Sequence, residues 1–251
     1  ASGESSNAAT IINGFVSSGV DLIMANGTTA LQAAATGTST IPILGTSITE
    51  YGVALGIDGF TGTTGYNVSG TSDLAPLDQQ AEMLHTWFPD AQTVGLLYCS
   101  AEPNSQYQVD TVQGYLEDLG YTCTQYSFSD SNDLSAVASS ACTASDVLYV
   151  PTDNTAANNA ELIGNISLDT GTPIIAGEEG ICKGCGVATL TISYYDIGYK
   201  TGEMAYDILV NGADPATMPI EYAPQFTPKY NPTMCEALGL TPPDGYEAIA
   251  E

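Results

Sequence analysis

Short apolar runs alternate with amphipathic stretches along almost the whole chain. Val20–Ala25, Ile41–Gly45 and Tyr66–Gly70 read as strands, with an alanine-rich helix over Thr29–Thr36 between the first two. The rhythm then restarts. Leu77, Ala81, Leu84 and Phe88 share one helical face, and Thr93–Tyr98 is a strand. Val109, Val112, Leu116 and Leu119 form a second helical face that stops at Gly120. Tyr121–Phe128, Val147–Val150, Pro173–Ala176 and Val187–Ser193 follow as strands. Helices over Leu134–Ala141, Ala156–Leu168 and Tyr194–Val210 are interleaved with them. An extended run, Ile220–Phe226, and a short helix near Pro232–Leu238 complete the pattern.

Strands alternating with helices of this length predict doubly wound α/β lobes with parallel sheets. The restart after Asp73 predicts two of them. The first is expected to take residues 1–72 with about 191–215, the second 73–190 with about 216–251. Chain crossings near Asp73 and Ser193 would then act as hinges, with a ligand cleft between the lobes. In such sheets ligands meet the loops that follow the carboxyl ends of strands.

Charge narrows the field. The chain carries 29 acidic residues against 3 basic ones, for a net −26. Acids are no more frequent than usual, so the imbalance comes from missing base. With only Lys183, Lys200 and Lys229 and no arginine, nothing is available to neutralise a nucleic-acid backbone, and an anionic membrane surface would repel the chain. No Gly-Lys-Ser/Thr triplet offers a P-loop. No apolar run is long enough to cross a membrane, and no basic–apolar leader is present. The six cysteines are scattered apart from Cys182 and Cys185, which is not the spacing of a disulfide scaffold.

The strand-to-helix loops are rich in small hydroxyl and amide residues: Asn26-Gly27-Thr28-Thr29, Gly45–Tyr51, Cys99–Ser105, Pro151–Thr155 and Gly177–Gly180. Each taken singly is accounted for by helix capping. Five such loops together point to a polar site suited to a zwitterion. Its carboxylate would sit on helix N-termini with Thr28, Thr29 and Ser105, and its ammonium on Asp153 or Glu102. Tyr51 and Tyr98 would wall an apolar side chain. No nucleophile–base pair is visible. The single histidine, His85, falls inside a helix.

Gly70-Thr71-Ser72-Asp73, Leu97–Ser105, Val150–Thr155 and Tyr194-Tyr195-Asp196-Ile197-Gly198 occur in order. In these motifs the chain resembles the substrate-binding proteins of ABC transporters of the tryptophan/tyrosine type, from Asn7 to the Met234–Gly239 segment. The resemblance implies a type I periplasmic-binding-protein-like fold and a non-enzymatic receptor for an aromatic amino acid or similar small molecule. It implies an ABC permease as partner, and an extracytoplasmic setting, as a cell-surface lipoprotein or in a periplasm, with signal and anchor outside this chain. It also implies ligand-facing positions at Asn26, Thr28, Thr29, Ser47, Thr49, Tyr51, Glu102, Asn104, Ser105, Asp153, Thr155 and Glu178. The family starts with a strand–helix–strand unit ahead of the helix at which this chain begins. The first lobe is therefore expected to be incomplete and the chain to belong to a longer protein, with Val20–Ala25 as an apolar edge.

Two other readings compete. One is a ligand-sensing regulatory domain of the same fold. The other is a thiol oxidoreductase built on Cys182-Lys183-Gly184-Cys185. That pair sits between two strands rather than at the opening of a helix, which disfavours redox chemistry. Neither a metal site nor a cofactor is expected, since one histidine and scattered cysteines do not make a zinc site.

Overall fold

The computed structural model describes residues 5–250. Residues 1–4 and 251, which the expected lobe boundaries include, lie outside the described residues. In chain order the first elements are α1 (Ser5–Ser18), β1 (Ile23–Asn26), α2 (Thr28–Gly37), β2 (Ile43–Ile48), α3 (Tyr51–Leu55) and β3 (Val68–Ser72). Next come α4 (Leu77–Trp87), β4 (Thr93–Cys99), α5 (Pro103–Asp118), β5 (Thr122–Phe128), α6 (Leu134–Ala144) and β6 (Val147–Val150). They are followed by α7 (Asn154–Asn158), α8 (Ala160–Thr170), β7 (Ile174–Ala176), α9 (Glu179–Gly184), β8 (Ala188–Thr191) and α10 (Tyr194–Leu209). The chain closes with β9 (Glu221–Tyr222), β10 (Thr227–Tyr230), α11 (Pro232–Ala237) and β11 (Glu247–Ala248).

These elements form two compact units. The first runs through Leu74 and also takes Ser193–Gln225; the second takes Ala75–Ile192 and the chain from Phe226 on. Residues 216–225 therefore go with the first unit, not the second. The reason is β9, whose Glu221 and Tyr222 pair in parallel with Thr71 and Ser72 of β3.

In the first unit the strands lie in the order β1-β2-β3-β9, all parallel. Alternate residues of β2 serve opposite faces. Ile43 packs with Ile12, Leu31, Ala34 and Tyr51, whereas Leu44 packs with Met204 and Ile208 of α10; the register shift between Gly45 and Ile48 returns Ile48 to the face of Ile43. β1 occupies one edge of this sheet; Ile23 and Ala25 are buried and Met24 is 51% exposed. β2 and β3 come together closely at Gly45 and Gly70. A Cβ on Gly70, whose φ is +143°, would stand 2.0 Å from the Gly45 carbonyl oxygen and 2.4 Å from the Tyr51 hydroxyl.

The second unit has the strand order β11-β10-β8-β7-β6-β4-β5. The pairs from β5 to β8 are parallel, and β10 runs antiparallel to β8. β4, the first of the five parallel strands in sequence, lies between the second and the third. That order reverses direction between β4 and β6, the switch point at which doubly wound sheets open a crevice. The central strands read as unbroken apolar runs because helices cover both faces. Val147–Val150 and Ile174–Ala176 are wholly buried.

Sequence patterning and structure differ locally. The helix expected over Ala156–Leu168 is broken at Asn159 into α7 and α8, and α3 lies in a stretch left unassigned. The third strand is shifted to Val68–Ser72, because Thr71 and Ser72 pair with β9.

Candidate functional site

In the second unit the switch point is bounded by the loops after β4 and β6, and a dense hydrogen-bond lattice ties them together. Asp153, only 1% exposed, caps α7 by accepting from the Ala156 amide at 2.8 Å. Its other oxygen accepts from the Cys99 amide at 2.7 Å, which pins the end of β4 to the start of α7. Burial, and secondarily the charge of Glu102, pushes the Asp153 carboxyl up to about 6, against the pull of those two amides. Glu102 answers from the other loop. One oxygen accepts from the amide and side chain of Asn154 at 3.0 and 2.7 Å, the other from the amide and hydroxyl of Thr155, both at 2.8 Å.

Beneath them, the side chains of Asn104 and Gln108 of α5 donate to the Thr152 carbonyl at 3.2 and 2.9 Å, while the Thr152 amide donates to Gln108 Oε1 at 3.0 Å. Gln80 of α4 donates to the Gly177 carbonyl at 3.1 Å and accepts from the Tyr149 hydroxyl. After β7, Glu178 caps α9 through the amides of Gly180 and Ile181, and burial raises its carboxyl above the ordinary range.

The loops of the first unit are built differently. α2 opens at Gly27, which has no side chain to cap it, so the first amides of this helix lack a side-chain acceptor. Asn26 is exposed, Thr28 buried and Thr29 half-buried. The end of β2 carries a register shift between Gly45 and Ile48. Within it Ser47 is half-buried and takes a φ of +54°, the left-handed region that non-glycine residues rarely occupy. Glu50 caps α3 by accepting from the Val53 amide. Thr49 is buried, and its carbonyl accepts from the Ser72 hydroxyl at 2.9 Å.

Several of the residues expected at the ligand are buried. Tyr51 is buried, and its hydroxyl donates to the Thr71 carbonyl at 3.1 Å. Tyr98 is likewise buried, its hydroxyl 2.9 Å from the side-chain oxygens of both Gln106 and Gln125. Asn104, Ser105 and Asp153 of the second unit are buried. Glu102, Thr155 and Glu178 are the half-buried members of that set; in the first unit Thr29 and Ser47 are half-buried and Asn26 is exposed.

Sequence reading missed Gln80 and Gln108. Both fall on the buried faces of α4 and α5, where a glutamine among apolar positions is itself the signal of a buried polar partner.

Cys182 lies in α9 and Cys185 caps its carboxyl end; both are fully buried. Burial, reinforced by neighbouring thiols and by Glu178, pushes both thiols far up. Redox thiols of the CxxC kind need the opposite, an exposed helix N-terminus that lowers the pKa. Among the described residues no cluster of three or more His, Cys, Asp or Glu could hold a metal. Nor is any helix among them long and apolar enough to cross a membrane.

A family model described as ABC transporter substrate binding protein matches residues 1–250. The tyrosine-binding protein of Clostridioides difficile (strain R20291) is 37% identical over 199 residues, 79% of this chain and 57% of that protein. The chain thus spans less than two thirds of that relative's length. A solved ABC domain from Streptococcus pneumoniae in complex with L-Trp superposes with a TM-score of 0.92 at 28% identity, covering 98% of this chain and 87% of that one. The ligand-free, open form of a Clostridium difficile substrate-binding protein with adhesive properties gives 0.73 at 35% identity, covering 98% and 83%.

Proposed function

The chain belongs to the family of ABC transporter substrate-binding proteins, and from that premise we propose that it is the receptor component of an ABC importer for an aromatic amino acid, acting outside the cytoplasm without catalysing a reaction. The observation that carries this reading is the relative named a tyrosine-binding protein, at 37% identity. The L-Trp complex of a structural neighbour supports it. The partner is then a membrane permease, and a lipid anchor is the expected tether of the full protein.

The pattern of helix caps supports a division of labour among the loops. α3, α7 and α9 each begin on their own carboxylate, Glu50, Asp153 and Glu178. α2 and α5 have no side-chain cap. On this reading the ligand carboxylate is received at the open start of α2, with Thr28 and Thr29, because amides there still want an acceptor and the helix dipole favours an anion. On the same reading Glu102 attracts the ammonium, and Thr155, Asn26, Ser47 and Glu178 are further contacts.

Thermal unfolding in the presence of each of the common amino acids tests the proposal. Trp, Tyr or Phe at a hundredfold excess over its dissociation constant should add about 2.7 kcal/mol of stability. The absence of any shift with all three would overturn the aromatic assignment. A shift with another amino acid only would reassign the specificity.

A further inference from the structure

Three Asn-Gly pairs occur in the chain: Asn13-Gly14, Asn26-Gly27 and Asn211-Gly212. The pair is chemically special because glycine has no side chain to hinder its own backbone nitrogen from reaching the preceding asparagine side chain. All three asparagines are exposed, so exposure does not rank them. The state of the glycine amide does.

Gly14 lies inside α1, where its N–H belongs to the helical ladder. Gly27 donates to the Thr46 carbonyl at 3.0 Å, and its own carbonyl accepts from the Leu31 amide as α2 begins. Gly212 follows the end of α10 with a φ of +73°, is exposed, and makes no amide hydrogen bond among the described residues. The two amides flanking it, of Asn211 and Ala213, both donate to the Asp207 carbonyl, at 3.1 and 3.0 Å, so the turn presents Gly212 with a free N–H. The Asn211 side chain is held through the nitrogen that would depart, which donates to Asp207 Oδ1 at 2.8 Å.

We propose that Asn211 is a spontaneous deamidation site, and that the Gly27–Thr46 hydrogen bond spares Asn26 in the candidate ligand loop. The Gly212 nitrogen gives its proton to solvent and attacks Asn211 Cγ, forming a C–N bond. The Cγ–Nδ2 bond breaks and Nδ2 leaves as ammonia. Water then opens the cyclic imide at either carbonyl, yielding aspartate or isoaspartate. The net change is one water consumed and one ammonia released. The product places a carboxylate just past the carboxyl end of α10, beside Asp207, where the helix dipole disfavours negative charge.

The test is a time course at mildly alkaline pH on the native protein and on the urea-unfolded chain, read by peptide mass mapping with an isoaspartate assay. In the native protein Asn211 should convert roughly tenfold or more faster than Asn26 and Asn13, the factor expected when an ordinary hydrogen bond must break first. Unfolding should bring the three rates together. Asn211→Gln should remove the more acidic species that accumulates. Native conversion of Asn26 or Asn13 as fast as Asn211 would overturn the proposal, as would an Asn211 that reacts only in the unfolded chain.

Discussion

Replacing Asp153 by alanine separates a structural role from a ligand-binding one. The side chain is 1% exposed and accepts from two backbone amides, one on its own helix and one on β4. Removing it orphans both amides at about 1–3 kcal/mol each. Against that stands the cost of keeping the carboxylate charged while buried. Its folded-state pKa is raised to about 6 by burial first and by Glu102 second, whereas an unfolded aspartate titrates near the ordinary value. The sign follows from the folded state binding the proton more tightly. The group's contribution to stability is fully present below the unfolded pKa and is lost as pH rises through the folded one. At neutral pH that loss is roughly 3 kcal/mol. Asp153→Ala should therefore destabilise by a few kcal/mol near pH 4, and by roughly 3 kcal/mol less near pH 7. Urea unfolding followed by fluorescence reads the right unit, because the single tryptophan, Trp87, lies on α4 in the same unit as Asp153. A mutational cost that is flat, or larger at neutral pH, would show that the two amides dominate and would refute the argument from burial. Unchanged stability combined with lost amino-acid binding would instead place Asp153 on the ligand.

Two further outcomes test the fold around the site. Gly70→Ala should cost about 3 kcal/mol or more, since the new Cβ meets the Gly45 carbonyl at 2.0 Å and φ is +143°, with faster hydrogen exchange of the β2 amides as the readout; an unperturbed β2 would refute the close approach. Alkylation at pH 8 should spare Cys182 and Cys185 in the native protein, because burial holds their thiols protonated, and label them only after unfolding; rapid native labelling of Cys182 would contradict that packing.

Local chemistry made much of the molecule legible in advance. Val147–Val150 is a buried strand because a run this short, β-branched and aromatic suits a strand better than a helix, and the amphipathic spacing from Val109 to Leu116 is a helix because it fits the 3.6-residue period. The family motifs also lay in the chain in their proper order. The preference of acids for helix starts is equally local, and Glu50, Asp153 and Glu178 cap the helices they precede. What each carboxylate does beyond its cap depends on residues far away in sequence. Asp153 takes the amide of Cys99, and Glu102 clasps Asn154 and Thr155, only because β4 and β6 pair. The same holds for Tyr51, whose hydroxyl reaches the Thr71 carbonyl, twenty residues on, through the tertiary fold alone. It holds also for Glu221 and Tyr222, which the pairing with β3 carries into the first unit. Periodicity and capping act within a few residues and can be read from the chain. Strand order and long-range pairing depend on which distant edges bury each other, and tertiary structure alone decided those.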